Sequence, residues 1–253
     1  MATTATTPPP QPLPDLSHLG SADFERVYEP SDDTFLLVDA LAADAASLQA
    51  LSAGLCIEIG CGSGAVITHL ASLLPRRSAW MLGGDVSVDA LRASAATAAR
   101  NGASLQPVQM DLLSAMRPGL IDVLVFNPPY VPTSAEELQD AIDTVDISAA
   151  WAGGPRGRMV LDRLLPQLGA LLSPRGVFYL LGVRENAPDE IAAILAAQGF
   201  ASRTVAERRA QNERLFVMRF AREGQVERAG GEASAGAGAP PGPSSQHAHE
   251  AVS

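Results

Sequence analysis

Four consecutive residues, Asn127-Pro128-Pro129-Tyr130, carry the clearest chemistry in the chain. They follow Ile121-Asp122-Val123-Leu124-Val125-Phe126, a largely apolar run of strand length. Two prolines cannot continue a central strand, so the chain must leave the sheet at this point. In an open α/β sheet such an exit lies beside the ligand crevice, at the carboxyl end of the strand. The residue types suit a planar amide or amine nitrogen as the attacking group. An amide nitrogen is a poor nucleophile because its lone pair is delocalised into the carbonyl. Two acceptors, the Asn127 side-chain oxygen and the Pro128 carbonyl, can take its two N–H bonds and favour a geometry that frees the lone pair. Proline at 128 and 129 stiffens the segment, and Pro128 removes a competing donor. Tyr130 can stack on the flat substrate group. Orientation of this kind supplies up to about 7–11 kcal/mol in favourable systems. A rigid Pro-Pro turn with a packed tyrosine is the bland alternative. It leaves unexplained why four specified residues end a strand at the crevice.

A second constellation, Glu58-Ile59-Gly60-Cys61-Gly62-Ser63-Gly64, follows an apolar run and opens a helical one. Its glycines allow a tight turn and close approach of backbone to a ligand. Asp85, 21 residues after Gly64, ends the next strand, where it can accept from ribose hydroxyls. Dinucleotide sites share these features, but two details point to S-adenosylmethionine. The spacing is Gly-x-Gly-x-Gly, without the third glycine position of the dinucleotide fingerprint. The Glu58 carboxylate would repel a pyrophosphate and suits a ligand bearing an ammonium and a sulfonium. Asp111, at the end of a third strand, either accepts from an adenine amine or caps a helix. Trp151, with Gly153 and Gly154, either shapes the substrate mouth or anchors a long loop. Asp32 and Asp33 read first as a helix N-cap.

Strands are expected at 55–59, 79–83, 105–110, 121–126 and 177–181, with 201–206 and 214–220 as a closing hairpin. Helices are expected at 34–51, 65–74, 88–101, 159–171 and 188–198. Alternating strand and helix implies a seven-stranded, mostly parallel α/β sheet covered on both faces, with an antiparallel C-terminal hairpin. The strand at 105–110 falls at an exposed edge, where a partner strand could pair. Residues 23–220 form the expected domain. The Pro-rich stretch 1–22 and the Gly, Ala, Pro and Ser-rich stretch 221–253 are expected to be disordered tails.

Composition narrows the function classes. All 18 basic residues are arginine and the net charge is −10. Lysine Schiff-base and P-loop chemistry are therefore excluded, and an acidic chain is poorly suited to phosphate backbones. Cys56 and Cys61 have neither the number nor the spacing for a zinc site, so no metal is expected. No basic residue precedes Arg26, which removes the n-region of a secretory signal and the arginines of a mitochondrial presequence. A cytosolic protein, able to diffuse to the nucleus, is expected.

Taken together, Val27-Tyr28-Glu29-Pro30-Ser31-Asp32-Asp33-Thr34-Phe35-Leu36-Leu37, the glycine loop, Phe126 to Val131, Ala149-Ala150-Trp151-Ala152-Gly153-Gly154 and Leu172-Ser173-Pro174-Arg175-Gly176 resemble the HemK-related eukaryotic glutamine methyltransferases. The resemblance covers the core from about Phe24 to Phe220. It implies a Rossmann-like class I methyltransferase fold and methylation of the Gly-Gly-Gln glutamine of the class 1 translation release factor. It also implies a heterodimer with a small zinc-binding activator subunit. By resemblance, Thr34, Glu58, Gly60, Gly62, Asp85, Asp111 and Asn127 would line the cofactor site. Asn127, Pro128, Pro129 and Tyr130 would hold the glutamine, and Asn127, Pro128 and Tyr130 would be catalytic. Members of this family have also been linked to lysine, arsenic and adenine methylation. Its bacterial relatives carry an N-terminal helical domain, which the short segment before the core here does not provide. A nucleic-acid adenine N6-methyltransferase, a protein lysine methyltransferase and a non-catalytic scaffold are the competing readings.

Overall fold

Every residue of Ile121–Phe126 is buried, and this strand lies at the centre of the sheet. The computed structural model describes residues 13–76, 78–137, 140, 150–210 and 213–223. In chain order its elements are α1 (Ser21–Phe24), α2 (Asp32–Ala43), α3 (Ala45–Ala50), β1 (Leu55–Ile59), α4 (Ala65–Leu73), β2 (Trp80–Asp85), α5 (Val88–Arg100) and β3 (Leu105–Gln109). There follow β4 (Ile121–Phe126), α6 (Met159–Leu164), α7 (Leu168–Leu171), β5 (Leu172–Val183), α8 (Pro188–Ala196), β6 (Phe200–Ala210) and β7 (Glu213–Arg222).

The strands form a seven-stranded sheet in the order β3-β2-β1-β4-β5-β7-β6. The first five in this order run parallel, while β7 is antiparallel to both β5 and β6. The chain steps outward from β1 through β2 to β3, then returns to the other side of β1 as β4. That reversal opens a crevice between β1 and β4. Ile59 pairs with Phe126, so Gly60 and Asn127 leave the sheet side by side at the same level.

Side-chain alternation along the strands divides the core into two layers. Cys56, Val123, Val125, Val177, Tyr179 and Leu181 pack with Leu37, Leu41, Ile67 and Leu70 of α2 and α4. Ile57, Leu124, Phe126, Phe178 and Leu180 pack on the opposite face with Leu161, Leu164, Leu168 and Ile191. β3 lies at the sheet edge, as its position in the sequence predicts. It carries Pro107, a residue sheets tolerate mainly at edges.

Three expected elements change form. The helix expected over 34–51 breaks at Asp44, whose buried carboxylate accepts from Tyr179 Oη (2.5 Å) and Arg203 Nη2 (2.5 Å) and pairs with Arg219. The helix expected over 159–171 is split by a 3₁₀ turn at Leu165–Gln167, because Pro166 has no N–H to donate. The strand expected at 177–181 runs from Leu172 to Val183, its register against β4 shifting between Ile121 and Val123. Asp122 lies at that irregularity, accepting from Ser173 Oγ at 2.6 Å, Arg175 Nε at 3.0 Å and Gly54 N at 2.7 Å.

The expected tail at 1–22 is also shorter on the structure. Residues 13–22 lie against the end of α5, where Asp15 accepts from Arg100 Nε at 2.6 Å and its carbonyl accepts from Asn101 Nδ2 at 3.0 Å. Specific polar pairing, not apolar burial, holds this segment, and composition does not reveal it. Residues 1–12 and 224–253 of the expected tails, and Ala149 of the resemblance, lie outside the described residues.

Candidate active site

β1 and β4 deliver their carboxyl ends to one cavity of about 630 Å³. Thr34, Glu58, Gly60, Gly62, Asp85 and Asp111 line it on one side. Asn127, Pro128, Pro129 and Tyr130 line it on the other, with Trp151 at its edge. All ten residues singled out from the sequence therefore meet at one place, although they span nearly a hundred positions.

The glycine loop has the geometry its composition allows. Gly60, Gly62 and Gly64 have φ of 64°, 48° and 77°, which favours glycine at each. At Gly64 a Cβ would come within 2.6 Å of Ser94 Cα, so glycine there also lets α4 start against α5. Gly60 and Cys61 donate their N–H groups to the Gly84 carbonyl at 2.8 and 3.1 Å, tying the loop to β2. Thr97 Oγ1 donates to the Ser63 carbonyl at 2.6 Å.

Two carboxyl groups stand in this half with no basic partner among the described residues. Glu58 is buried, and its Oε2 accepts from Ile67 N at 2.9 Å in the first turn of α4. Burial, with the charge of Asp85 adding to it, holds the Glu58 carboxyl well above the usual range. Asp85 accepts from Gly62 N at 3.1 Å and Ser87 N at 2.9 Å, yet burial still raises it. A carboxyl pushed up by desolvation is relieved by an incoming positive charge. The pair thus fits a ligand carrying an ammonium and a sulfonium, and does not fit a pyrophosphate. Asp111 is exposed at the rim and forms an ion pair with Arg163 of α6, a partner that strand-and-loop reasoning did not supply.

The opposite half is assembled from distant segments. Val131 donates its N–H to the Trp151 carbonyl at 3.0 Å and accepts from Gly153 N at 2.8 Å, so the chain after Tyr130 runs beside 151–153. At Gly153 a Cβ would lie 2.5 Å from the Pro129 carbonyl oxygen. At Gly157, where φ is 67°, a Cβ would overlap the Tyr130 carbonyl oxygen. Asn186 Nδ2 donates to that Tyr130 oxygen and to the Arg156 carbonyl, each at 2.9 Å. Asn186 Oδ1 is itself held by Val183 N at 2.7 Å. Trp151 is 41% exposed beside the cavity, which places it at the mouth and not beneath the loop.

Asn127 gives the site its polarity. Its Nδ2 donates to Asp33 Oδ2 at 3.0 Å, while its Oδ1 is buried and has no hydrogen-bond partner among the described residues. A buried acceptor left bare costs about 1–3 kcal/mol, so it stands ready for an N–H donor. Tyr130 is buried, and its hydroxyl approaches Asp33 Oδ2 at 3.5 Å. Type and spacing do not single out Asn186. Asp33 reads first as a helix N-cap, with approach to the cofactor as a second role implied by the resemblance, and Ser31 holds the cap position of α2 instead. Asp33 did leave a signal: it lies four and seven positions before Leu37 and Ala40, on the core face of α2 where a charge is out of place. Nothing around Asn186 marks it. The two cysteines are buried and free, and burial pushes the Cys56 thiol up to about 12.

A parallel sheet reversing between β1 and β4, a glycine loop with buried carboxylates and an Asn-Pro-Pro-Tyr exit define a class I, S-adenosylmethionine-dependent methyltransferase. The chain belongs to the methyltransferase small domain family, whose model matches residues 32–166. It is 44% identical to "Methyltransferase HEMK2" of Mus musculus over 217 residues, 85% of this chain and 98% of that protein. It is 40% identical to "eRF1 methyltransferase catalytic subunit mtq2" of Schizosaccharomyces pombe, over 84% of this chain and 96% of that one. Among solved structures it is similar to the E. cuniculi Mtq2–Trm112 complex, described as methylating the eRF1 translation termination factor. That likeness has a TM-score of 0.59 and 27% identity, covering 78% of this chain and 99% of the other.

Proposed function

We propose that this protein transfers a methyl group to the side-chain amide nitrogen of a glutamine in the class 1 translation release factor. The observation that carries the reading is the bare, buried Oδ1 of Asn127 at the end of β4, in the cavity that the glycine loop also lines. Relatives named for eRF1 and release-factor glutamine methylation support the choice of substrate. When bound, S-adenosylmethionine supplies a methyl carbon made electrophilic by its sulfonium. Glu58 and Asp85 would hold it against the backbone of Gly60 and Gly62, with Thr34 and Asp111 bordering the same space.

Asn127 Oδ1 and the Pro128 carbonyl accept the two N–H bonds of the glutamine amide. Held this way, the nitrogen turns its lone pair out of conjugation. With both N–H bonds held by Asn127 and Pro128, the nitrogen would take the methyl group that bound S-adenosylmethionine supplies and would give up one hydrogen as a proton to water. Asn127, Pro128 and Tyr130 are the residues of this step. Pro129 keeps the turn rigid, and Trp151 flanks the entering segment.

A small zinc-binding activator subunit would cover β3. This strand is the unpaired parallel edge, and Trp80 and Val86, at either end of the adjacent β2, are 70% and 65% exposed. Exposed apolar groups beside an open edge call for a covering partner. The cytosol, with diffusion to the nucleus, is the proposed location.

Mass spectrometry of purified release factor, incubated with S-adenosylmethionine and the protein co-expressed with its activator, tests the reading. A gain of one methylene on the Gly-Gly-Gln peptide is expected, and none with Asn127→Ala. An unmodified peptide in the presence of bound cofactor would overturn the glutamine assignment in favour of lysine or adenine acceptors.

A further inference from the structure

We infer that Asp33 is a positioning residue for methyl transfer: its carboxylate fixes which end of the Asn127 side-chain amide meets the substrate nitrogen. The inference deepens the proposed glutamine reading and rests on it for the identity of the acceptor.

The two ends of a carboxamide have nearly the same shape, so packing alone does not choose between them. A carboxylate is acceptor-only and does choose. Asp33 Oδ2 lies 3.0 Å from Asn127 Nδ2. The reversed amide would bring two oxygens to that distance, where they repel. Nδ2 must therefore face Asp33, which leaves Oδ1 as the end offered for an N–H donor.

Asp33 is itself locked. Its Oδ1 accepts from Thr34 N at 2.6 Å and from Thr34 Oγ1 at 3.3 Å, and its Oδ2 accepts from Tyr28 Oη at 3.1 Å. Burial and the Asp33 charge both push the Tyr28 and Tyr130 hydroxyls upward, so each stays protonated and able to donate. The carboxylate is 3% exposed on a helix face otherwise given to Leu36, Leu37, Ala40 and Leu41. A charge buried there is costly; Oδ1 serves the first turn of α2 by accepting from Thr34 N, which leaves the use of Oδ2 to be found. Its use is at the site. It orients the amide, and a negative charge behind Nδ2 polarises the group and makes Oδ1 a stronger acceptor.

The test is an exchange of the two residues in the full chain with its activator, assayed on release factor. D33N lets the amide at 127 turn round, and kcat is expected to fall roughly 100-fold, the scale of losing one oriented group. Affinity for S-adenosylmethionine and the melting temperature should stay near wild type. N127D alone sets two carboxylates against each other and should fall as far. The double exchange, D33N with N127D, restores one donor facing one carboxylate and again offers an oxygen to the substrate. It should recover activity at least tenfold over either single variant. A D33N enzyme within threefold of wild type, or a double variant no better than the singles, would overturn the inference.

A measurement on the unmodified protein covers the case in which D33N fails to fold. In the wild-type complex, one Asn127 side-chain amide proton should be protected from solvent exchange by Asp33. Free exchange of both would overturn the inference. A wild type that binds cofactor and leaves the release factor unmodified defeats the glutamine reading instead, while the exchange measurement still judges Asp33.

Discussion

The two sides of the cavity are built in opposite ways. The cofactor side is more local: from Glu58 to Ile67 the chain bonds to itself and to the two elements that follow it, β2 and α5. The acceptor side draws on four separate stretches of chain, around Asp33, Asn127, Gly157 and Asn186. The cofactor side waits with two carboxyl groups, Glu58 and Asp85, whose ionisation burial opposes and a cation would favour, whereas the acceptor side waits with the bare Oδ1 of Asn127. Each half is thus incomplete in the property its ligand would supply. Charge recognises a diffusible cation without exact placement, while a lone pair must be placed to within a fraction of an ångström to help the reaction. That difference accounts for the many distant segments invested in the acceptor side.

The largest single effect expected of this division comes from Asn127→Ala. The rate of methyl transfer should fall about 1,000-fold, with cofactor affinity lowered by less than roughly tenfold, since the binding charges lie elsewhere. Kinetics beside calorimetric titration would check this. An equal collapse of cofactor binding would show that the two sides are one unit. Next in size is Gly157→Ala, which places a Cβ against the Tyr130 carbonyl oxygen at a positive φ. Thermal unfolding should show about 3 kcal/mol of lost stability, as expected of a steric clash at a special backbone conformation. Any folded fraction should bind cofactor normally and transfer methyl poorly.

The same division governs what the sequence discloses. The glycine loop, Glu58 and Asp85 are legible because their partners lie within a strand–turn–helix unit, where spacing in sequence is spacing in space. The Asn-Pro-Pro-Tyr exit is legible because prolines must end the strand. Its supports are not, because Asn127 meets Asp33 94 positions away and Tyr130 meets Asn186 56 positions away. Asp33 could have been suspected as an acid on a core face, and Asn186 carries no mark at all. At the level of the fold, alternation and length yield the strand and helix order. The breaks at Asp44 and Pro166 differ in kind. Pro166 was visible as a helix breaker, whereas Asp44 is recruited by Tyr179, Arg203 and Arg219 from the far end of the chain.

A smaller effect sharpens the charge argument. Glu58→Gln keeps the shape of the side chain and removes the carboxylate that a cation would relieve. Cofactor affinity should weaken roughly tenfold, the scale of one charged contact, with kcat at saturating cofactor little changed. Its pH dependence carries a definite sign. Burial raises the Glu58 carboxyl above its ordinary value of 4.5. Cofactor affinity should therefore decline as pH falls through that raised value, where the carboxyl takes up a proton, and Glu58→Gln should flatten the decline. Titration calorimetry over a pH series measures both. An unchanged slope in the variant would assign the charge recognition to Asp85.

The smallest effect concerns how the two sides are held together. His69 on α4 is 1% exposed, and neither ring nitrogen has a hydrogen-bond partner among the described residues. Desolvation pulls it below its ordinary value of 6.5, with Asp39 on α2 opposing that shift by its charge. α2 carries Asp33 and Thr34, and its core face packs with that of α4. His69 therefore bears on the contact between the helix that follows the cofactor loop and the helix that orients Asn127. In the unfolded chain the imidazole takes up a proton as pH drops below about 6.5, while the folded protein resists it. The unfolded state then binds more protons, so stability falls with decreasing pH until the folded-state value is passed. Melting curves should show a loss of roughly 2–4 °C across that window, the size of a change of about 1 kcal/mol in a domain of this length. His69→Leu should remove that part of the slope. If the α2–α4 contact joins the two sides, wild type at low pH should lose cofactor binding and methyl transfer in parallel. Loss of transfer alone would mean that α2 moves independently of the glycine loop, and that the acceptor side has its own hinge.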